Sequence, residues 1–87
     1  MTNKEFWQLK RGDVFYDSYS KTKNTVIKRE VLNEPIAFVI NDDPKKDRMI
    51  YSDFKYVQLT VQREDEKLPR YYDSMDKYRV SNLEKLK

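Results

Sequence analysis

The stretch KYVQLTVQ (55–62) alternates without a break, with Val57, Leu59 and Val61 on one side and Tyr56, Gln58, Thr60 and Gln62 on the other. A period of two belongs to a strand with one face buried; a helix cannot separate these residues into two sides. A chain containing such a strand must also supply it with neighbours. Three further segments have the β-branched and aromatic content for that: DVFY (13–16), TVIKREVL (25–32) and IAFVI (36–40). IAFVI is apolar at every position, which predicts a central strand covered on both faces. Glu34-Pro35 reads as an interruption between it and the preceding strand.

The segments between are polar: SYSKTKN (18–24), NDDPKKD (41–47) and the charged REDEKLP (63–69) read as loops and turns. At the N-terminus Thr2 and Glu5 stand at capping-box spacing, which predicts a short helix with Phe6, Trp7 and Leu9 on its apolar side. The single glycine, Gly12, is placed to stop that helix. Near the other end KYRVS (77–81) reads as a closing strand, with Ser81 and Glu84 boxing a short helix after it. These pieces predict a mainly β fold with a minor α component, in one domain over residues 1–87. The architecture is a small, bent five-stranded sheet or an SH3-like barrel with short terminal helices.

Charged residues make up 38% of the chain, yet twelve aromatics, one glycine and three prolines argue for a folded domain over a disordered one. There is no cysteine, so neither a disulfide nor a thiolate–zinc staple supports the core. No apolar run reaches the length of a membrane span, and no signal-peptide pattern opens the chain, so a soluble cytoplasmic protein is expected. The net charge is +3, with bases and acids interleaved; this permits a polyanionic partner without demanding one.

The chain has no histidine, which removes Ser-His-Asp and Cys-His catalysis together with the usual zinc ligands. It has no glycine-rich phosphate loop either. Asp42 and Asp43 raise the question of a metal site. Adjacent side chains in extended backbone diverge, and Asp43 precedes Pro44, so the pair reads as turn chemistry. No metal or cofactor is expected. What remains is a constellation of aromatics and bases: Tyr16, Tyr19, Lys21 and Lys23; Lys28 and Arg29; Lys55-Tyr56; Arg70-Tyr71-Tyr72; and Tyr78-Arg79. Stacked rings with cations beside them hold single-stranded nucleic acid. Tyrosines half-buried in strands with solvated basic neighbours give the same pattern.

In their order along the chain, RGDVFYDS (11–18), EPIAFVINDD (34–43), QLTVQ (58–62) and KLPRYYD (67–73) resemble the PemK/MazF family of toxin endoribonucleases. The resemblance implies a small β-barrel, a dimer and a peptide partner, and it puts Thr60 at the catalytic Thr/Ser position. It also puts Glu34 where the family has its catalytic arginine, and a glutamate there repels a scissile phosphate. The sequence therefore points first to a non-enzymatic binding module, docking on a protein or on single-stranded RNA or DNA through the Tyr/Lys/Arg surface. Inhibitors encoded by phages or mobile elements have this small, basic, tyrosine-rich style. A divergent endoribonuclease using Thr60 is the alternative, and a homodimer is allowed by either.

Overall fold

The computed structural model describes residues 1–40 and 48–86, and the side chains of all of these except 36–40 and 48–52. Its elements are α1 (Asn3–Trp7), β1 (Val14–Asp17), β2 (Thr22–Ile40), β3 (Arg48–Arg63), β4 (Arg70–Asp73), α2 (Lys77–Ser81) and β5 (Leu83–Leu86). The strands form one antiparallel sheet in the order β4-β3-β2-β1-β5. The fold is mainly β, as the sequence predicts. The sheet is open, with β4 and β5 as its edges, so the bent sheet is realised and the closed barrel is not.

β3 keeps the alternation that identified it: Val57, Leu59 and Val61 are fully buried, and Gln58, Thr60 and Gln62 are half-buried on the other face. Phe15 of β1, Val26 of β2, Tyr72 of β4 and Leu83 of β5 join the buried face, and Phe6, Leu9 and Val80 cover it from the helix side. Each such side chain taken out of water contributes about 1.5–3 kcal/mol. One face of the sheet is thus roofed by the two helices.

Several local expectations change. The capping box of α1 forms as read, Thr2 Oγ1 accepting from Glu5 N–H and Glu5 Oε1 from Thr2 N–H. However, the helix ends at Trp7, and Gly12, at φ 94°, serves the turn that follows. There Asp13 N–H donates to Lys10 C=O at 3.0 Å, and Gly12 N–H reaches Val26 C=O at 2.8 Å, so the left-handed residue delivers the chain into β1. The loop at 18–24 shrinks to four residues, because the Asp17 carboxylate accepts the Tyr19 N–H and Lys21 takes φ 57° to reverse the chain.

β2 does not break at Glu34-Pro35. It runs on through Ile40, with Pro35 opposite Asp53. Proline is accommodated because β1 pairs with β2 only over Thr22–Thr25, so beyond it β2 has β3 as its one neighbour and no second ladder needs an N–H. For the same reason IAFVI is not a central strand: it pairs with Arg48–Ser52 alone, in a two-stranded ribbon that extends the sheet. A register shift lies between Val26 and Lys28, and β2 and β3 continue as a two-stranded ribbon beyond Glu30 and Gln58, where β4 ends. The principal extents are 53 × 24 × 22 Å. The radius of gyration is 16.5 Å, where a compact chain of this length would have about 12 Å. The NDDPKKD segment, with Asp42 and Asp43, lies outside the described residues.

The C-terminal expectation is reversed: KYRVS is the helix and LEKL the strand. Asp76 caps α2, its Oδ1 accepting from Arg79 N–H at 3.0 Å, whereas Ser81 Oγ turns back to Tyr78 C=O at 2.6 Å. β5 then closes beside β1, Val14 opposite Leu86.

Candidate binding surface

Alternation along the strands puts the residues between the core positions on the face the helices leave bare. In register across β4, β3 and β2, Tyr71 stands opposite Thr60 and Thr60 opposite Lys28. The next row outward is Gln62, Thr25, Val14 and Leu86, followed by Tyr16 between Lys23 and Glu84. Towards the ribbon come Asp73, Gln58 and Glu30, then Tyr56 and Leu32. Tyr71 is 59% exposed and Ile27, at the bulge, 43%. Tyr56 is buried; its ring centroid lies 6.3 Å from that of Phe54, and its hydroxyl donates to Glu34 Oε1 at 3.0 Å. Burial and this bond to a carboxylate push the Tyr56 hydroxyl up, holding it neutral. This bare face therefore mixes tyrosines, aliphatics and uncharged polar groups with charges of both signs, Lys23 and Lys28 beside Glu30, Asp73 and Glu84.

Three of the seven basic residues singled out in the sequence, Lys28, Arg29 and Arg70, have polar partners. Lys28 Nζ lies 2.5 Å from Glu30 Oε1, and that contact raises its affinity for its proton. Arg70 makes two bonds of 2.6 Å to the Glu66 carboxylate, which is held below the usual glutamate range chiefly by that contact. Arg29 lies on the helix side, its guanidinium donating to Trp7 C=O at 2.9 Å, where it satisfies the end of α1. Lys21, Lys23 and Lys55 are exposed.

The structure thus divides the sequence constellation. Tyr16, Lys23, Lys28, Tyr56 and Tyr71 share the bare face with Thr60. Arg29 and Arg70 serve internal contacts. Tyr72 is buried in the core. Tyr19, Tyr78 and Arg79 meet on the α2 side, around a groove of about 270 Å³ that Asp76 and Asn82 complete. The two positions that the PemK/MazF resemblance would combine, Thr60 and residue 34, are six residues apart in strand register, because Glu34 pairs with Phe54. At the strand rise that is about 20 Å, too far for one reacting phosphate to meet both.

Beneath Arg79 lies a polar cluster that sequence reasoning missed. Tyr72 Oη donates to Asp17 Oδ2 at 2.6 Å and accepts from an Arg63 guanidinium nitrogen at 3.0 Å. Arg63 Nε reaches Asn24 Oδ1 at 3.4 Å, and Glu66 lies 3.7 Å from the same guanidinium. Asp17, Asn24 and Arg63 are all buried. Burial alone would raise the Asp17 carboxyl, but hydrogen bonds from Tyr72 and from the Tyr19 and Ser20 N–H groups outweigh it and leave it below the ordinary aspartate value. Burial and the bond to Asp17 push the Tyr72 hydroxyl up, opposed by Arg63. The signal was parity: Arg63 continues the buried series Val57, Leu59, Val61, and Asp17 continues from Phe15. Each buried side-chain polar atom among the described residues has a partner. The cluster is saturated, which suits a structural clasp.

Among the described residues no group of three or more acidic, histidine or cysteine side chains is placed to hold a metal, and no helix is long and apolar enough to cross a membrane. Comparison with protein-family models, with curated proteins and with solved structures gives no match.

Proposed function

We propose that this chain is a non-enzymatic module that binds a protein through the bare face of its sheet. One observation carries the reading: the helices roof one face only, and the other presents Tyr16, Thr60 and Tyr71 beside two lysines, of which Lys28 is paired with Glu30 and Lys23 is exposed. Aromatic-rich surfaces poor in free charge match the centre of protein interfaces. A strand-like nucleic-acid platform needs free cations along the path of the backbone. On this face Lys28 is paired with Glu30, and Asp73 and Glu84 lie close by. Protein is therefore favoured over single-stranded RNA or DNA as the partner class.

The test compares capture from a lysate by the wild-type chain, by a Tyr16→Ser/Tyr71→Ser double variant and by Tyr78→Ala on the opposite side. A partner held by wild type and Tyr78→Ala, and lost with the double variant, supports the reading. Capture that survives the double variant, or binding of labelled single-stranded RNA that weakens steeply with salt, refutes it.

A further inference from the structure

Beyond the end of β4 the β2–β3 ribbon has two free edges, and they are not alike. Parity fixes which backbone groups face outward. Val57 N–H donates to Ser74 Oγ at 3.1 Å and Val57 C=O accepts from Ser74 N–H at 3.0 Å, so the polar groups of Val57 point away from β2. Successive residues of an antiparallel ladder point these groups to alternate sides, so Lys55, Asp53, Tyr51 and Met49 point the same way as Val57. Their partners on β2, Asn33 opposite Lys55 and Pro35 opposite Asp53, therefore face the other free edge.

The β2 edge is closed to pairing. Pro35 lacks an N–H at an outward position, and the register shift between Val26 and Lys28 bends the strand where its pairing with β1 stops. The β3 edge has neither device. From Arg48 to Tyr56 its pairing with β2 is unbroken and free of proline, and Phe54 is 40% exposed. Such an edge is a template for another strand, and a two-stranded ribbon alone is marginally stable.

We infer that the chain forms a two-fold homodimer in which the β3 edges pair antiparallel about Ser52, joining two ribbons into a four-stranded sheet. The register follows from where the edge stops, because Ser74 and then β4 occupy it from Val57 onward. Pairing Arg48–Tyr56 with its own copy over its whole length puts the axis at Ser52. Outward residues then meet outward residues: Asp53 stands opposite Tyr51 of the second copy, and Lys55 opposite Met49. The four pairs of this kind supply about eight hydrogen bonds, within the 10 ± 5 of a typical interface. Phe54 stands opposite Ile50, and no position faces a like charge. Moving the axis to Asp53 sets that carboxylate against its own copy and drives Met49 onto Val57. Moving it to Tyr51 leaves the Lys55 end unpaired. The edge thus matches itself in length, hydrogen-bond phase and charge, which favours a second copy over a foreign strand. The pairing uses backbone groups at the strand edge, so it is independent of docking on the bare face.

The experiment is the solution mass of the full chain by light scattering over a concentration series, with two proline variants. Asp53→Pro removes one outward N–H and spares the ladder to β2, as Pro35 opposite it already does from the other side. Asn33→Pro makes the same change on the β2 edge. Twice the chain mass is expected for wild type and for Asn33→Pro, while Asp53→Pro should weaken association about a hundredfold or more with core amide shifts retained. A cysteine supplies a second readout that needs no proline, since the chain has none of its own. Ser52→Cys would stand opposite its own copy in a non-hydrogen-bonded pair, Cα atoms about 4.5 Å apart, and should oxidise to a covalent dimer. Lys55→Cys, about 20 Å from its copy, should not. A wild-type chain that stays monomeric up to about 1 mM overturns the inference. So do an Asp53→Pro chain that dimerises as wild type, a dimer lost with Asn33→Pro, or cross-linking as fast at position 55 as at 52.

Discussion

Replacing Tyr72 by phenylalanine isolates one oxygen atom at the centre of the buried cluster. The ring keeps its edge-on contact with Phe15, at 5.2 Å and 80°, and its place beneath Arg79, so only the hydroxyl is removed. That hydroxyl donates to the Asp17 carboxylate at 2.6 Å and accepts from Arg63 at 3.0 Å. Hydrogen bonds to charged groups contribute about 1.5–3 kcal/mol each. The loss is moderated because Asp17 retains the Tyr19 and Ser20 N–H groups, Arg63 retains Asn24, and the two charges still attract across the vacated space. The net expectation is a loss of about 2–3 kcal/mol at neutral pH, read by urea denaturation. For a domain of this size that lowers Tm by roughly 10–20 °C. The sign with pH follows from Asp17. A carboxyl whose value is depressed on folding stabilises above its unfolded value, about 3.9, and that stability is lost as pH falls through the folded value. The deficit of Tyr72→Phe should therefore be complete at neutral pH and shrink once Asp17 is protonated. A deficit below about 0.5 kcal/mol, which is the scatter of neutral surface changes, or one indifferent to pH, would refute the clasp.

Leu59→Ala removes a fully buried side chain from the middle of β3 and should cost about 3–4 kcal/mol of stability, read as a lower denaturant midpoint with the slope unchanged. Asp76→Ala deletes the cap of α2; the expected loss is about 1 kcal/mol, which Asp76→Asn should spare. Gly12→Ala meets no atom within 4 Å of the added carbon, so any destabilisation measures backbone conformation at φ 94° alone, about 1 kcal/mol. An Arg11→Ala control should be near neutral by the same thermal scan.

The pieces of the fold that were legible are those where one force acts alone. β3 declared itself because burial on one face writes a period of two, and α1 because its capping groups are adjacent in sequence. The exchange of helix and strand at the C-terminus shows the opposite case. KYRVS carries a β-branched residue and a tyrosine, and local preference for strand is overruled by the Asp76 cap and by the contact of Val80 with the core. Ser81 offered the same capping chemistry five residues later, and nothing local decides between two caps. IAFVI misled because a fully apolar run reads as a central strand, whereas it has one paired neighbour, and composition does not state how many strands flank a segment. At the surface, composition singled out the tyrosines and bases but could not sort them between faces and core. Tyr71 and Tyr72 are adjacent, and strand parity sends one to solvent and the other into the core. The Asp17–Tyr72–Arg63 cluster joins three distant segments and becomes visible only when strand order is known.

β1 and β5 lie side by side although they come from opposite ends of the sequence, and the Met1 amine donates to Leu83 C=O at 2.6 Å. This places a constraint on time as well as on space. The β2–β3 pair can zip from its near end while synthesis continues, since seven residues of sequence separate the two strands, but the β1–β5 pair joins segments about 65 residues or more apart. The sheet is completed only when its last strand has left the ribosome. Until then β1 is a bare edge beside an unfinished core, and a chain halted before Leu83 would present that edge to its neighbours on the same message.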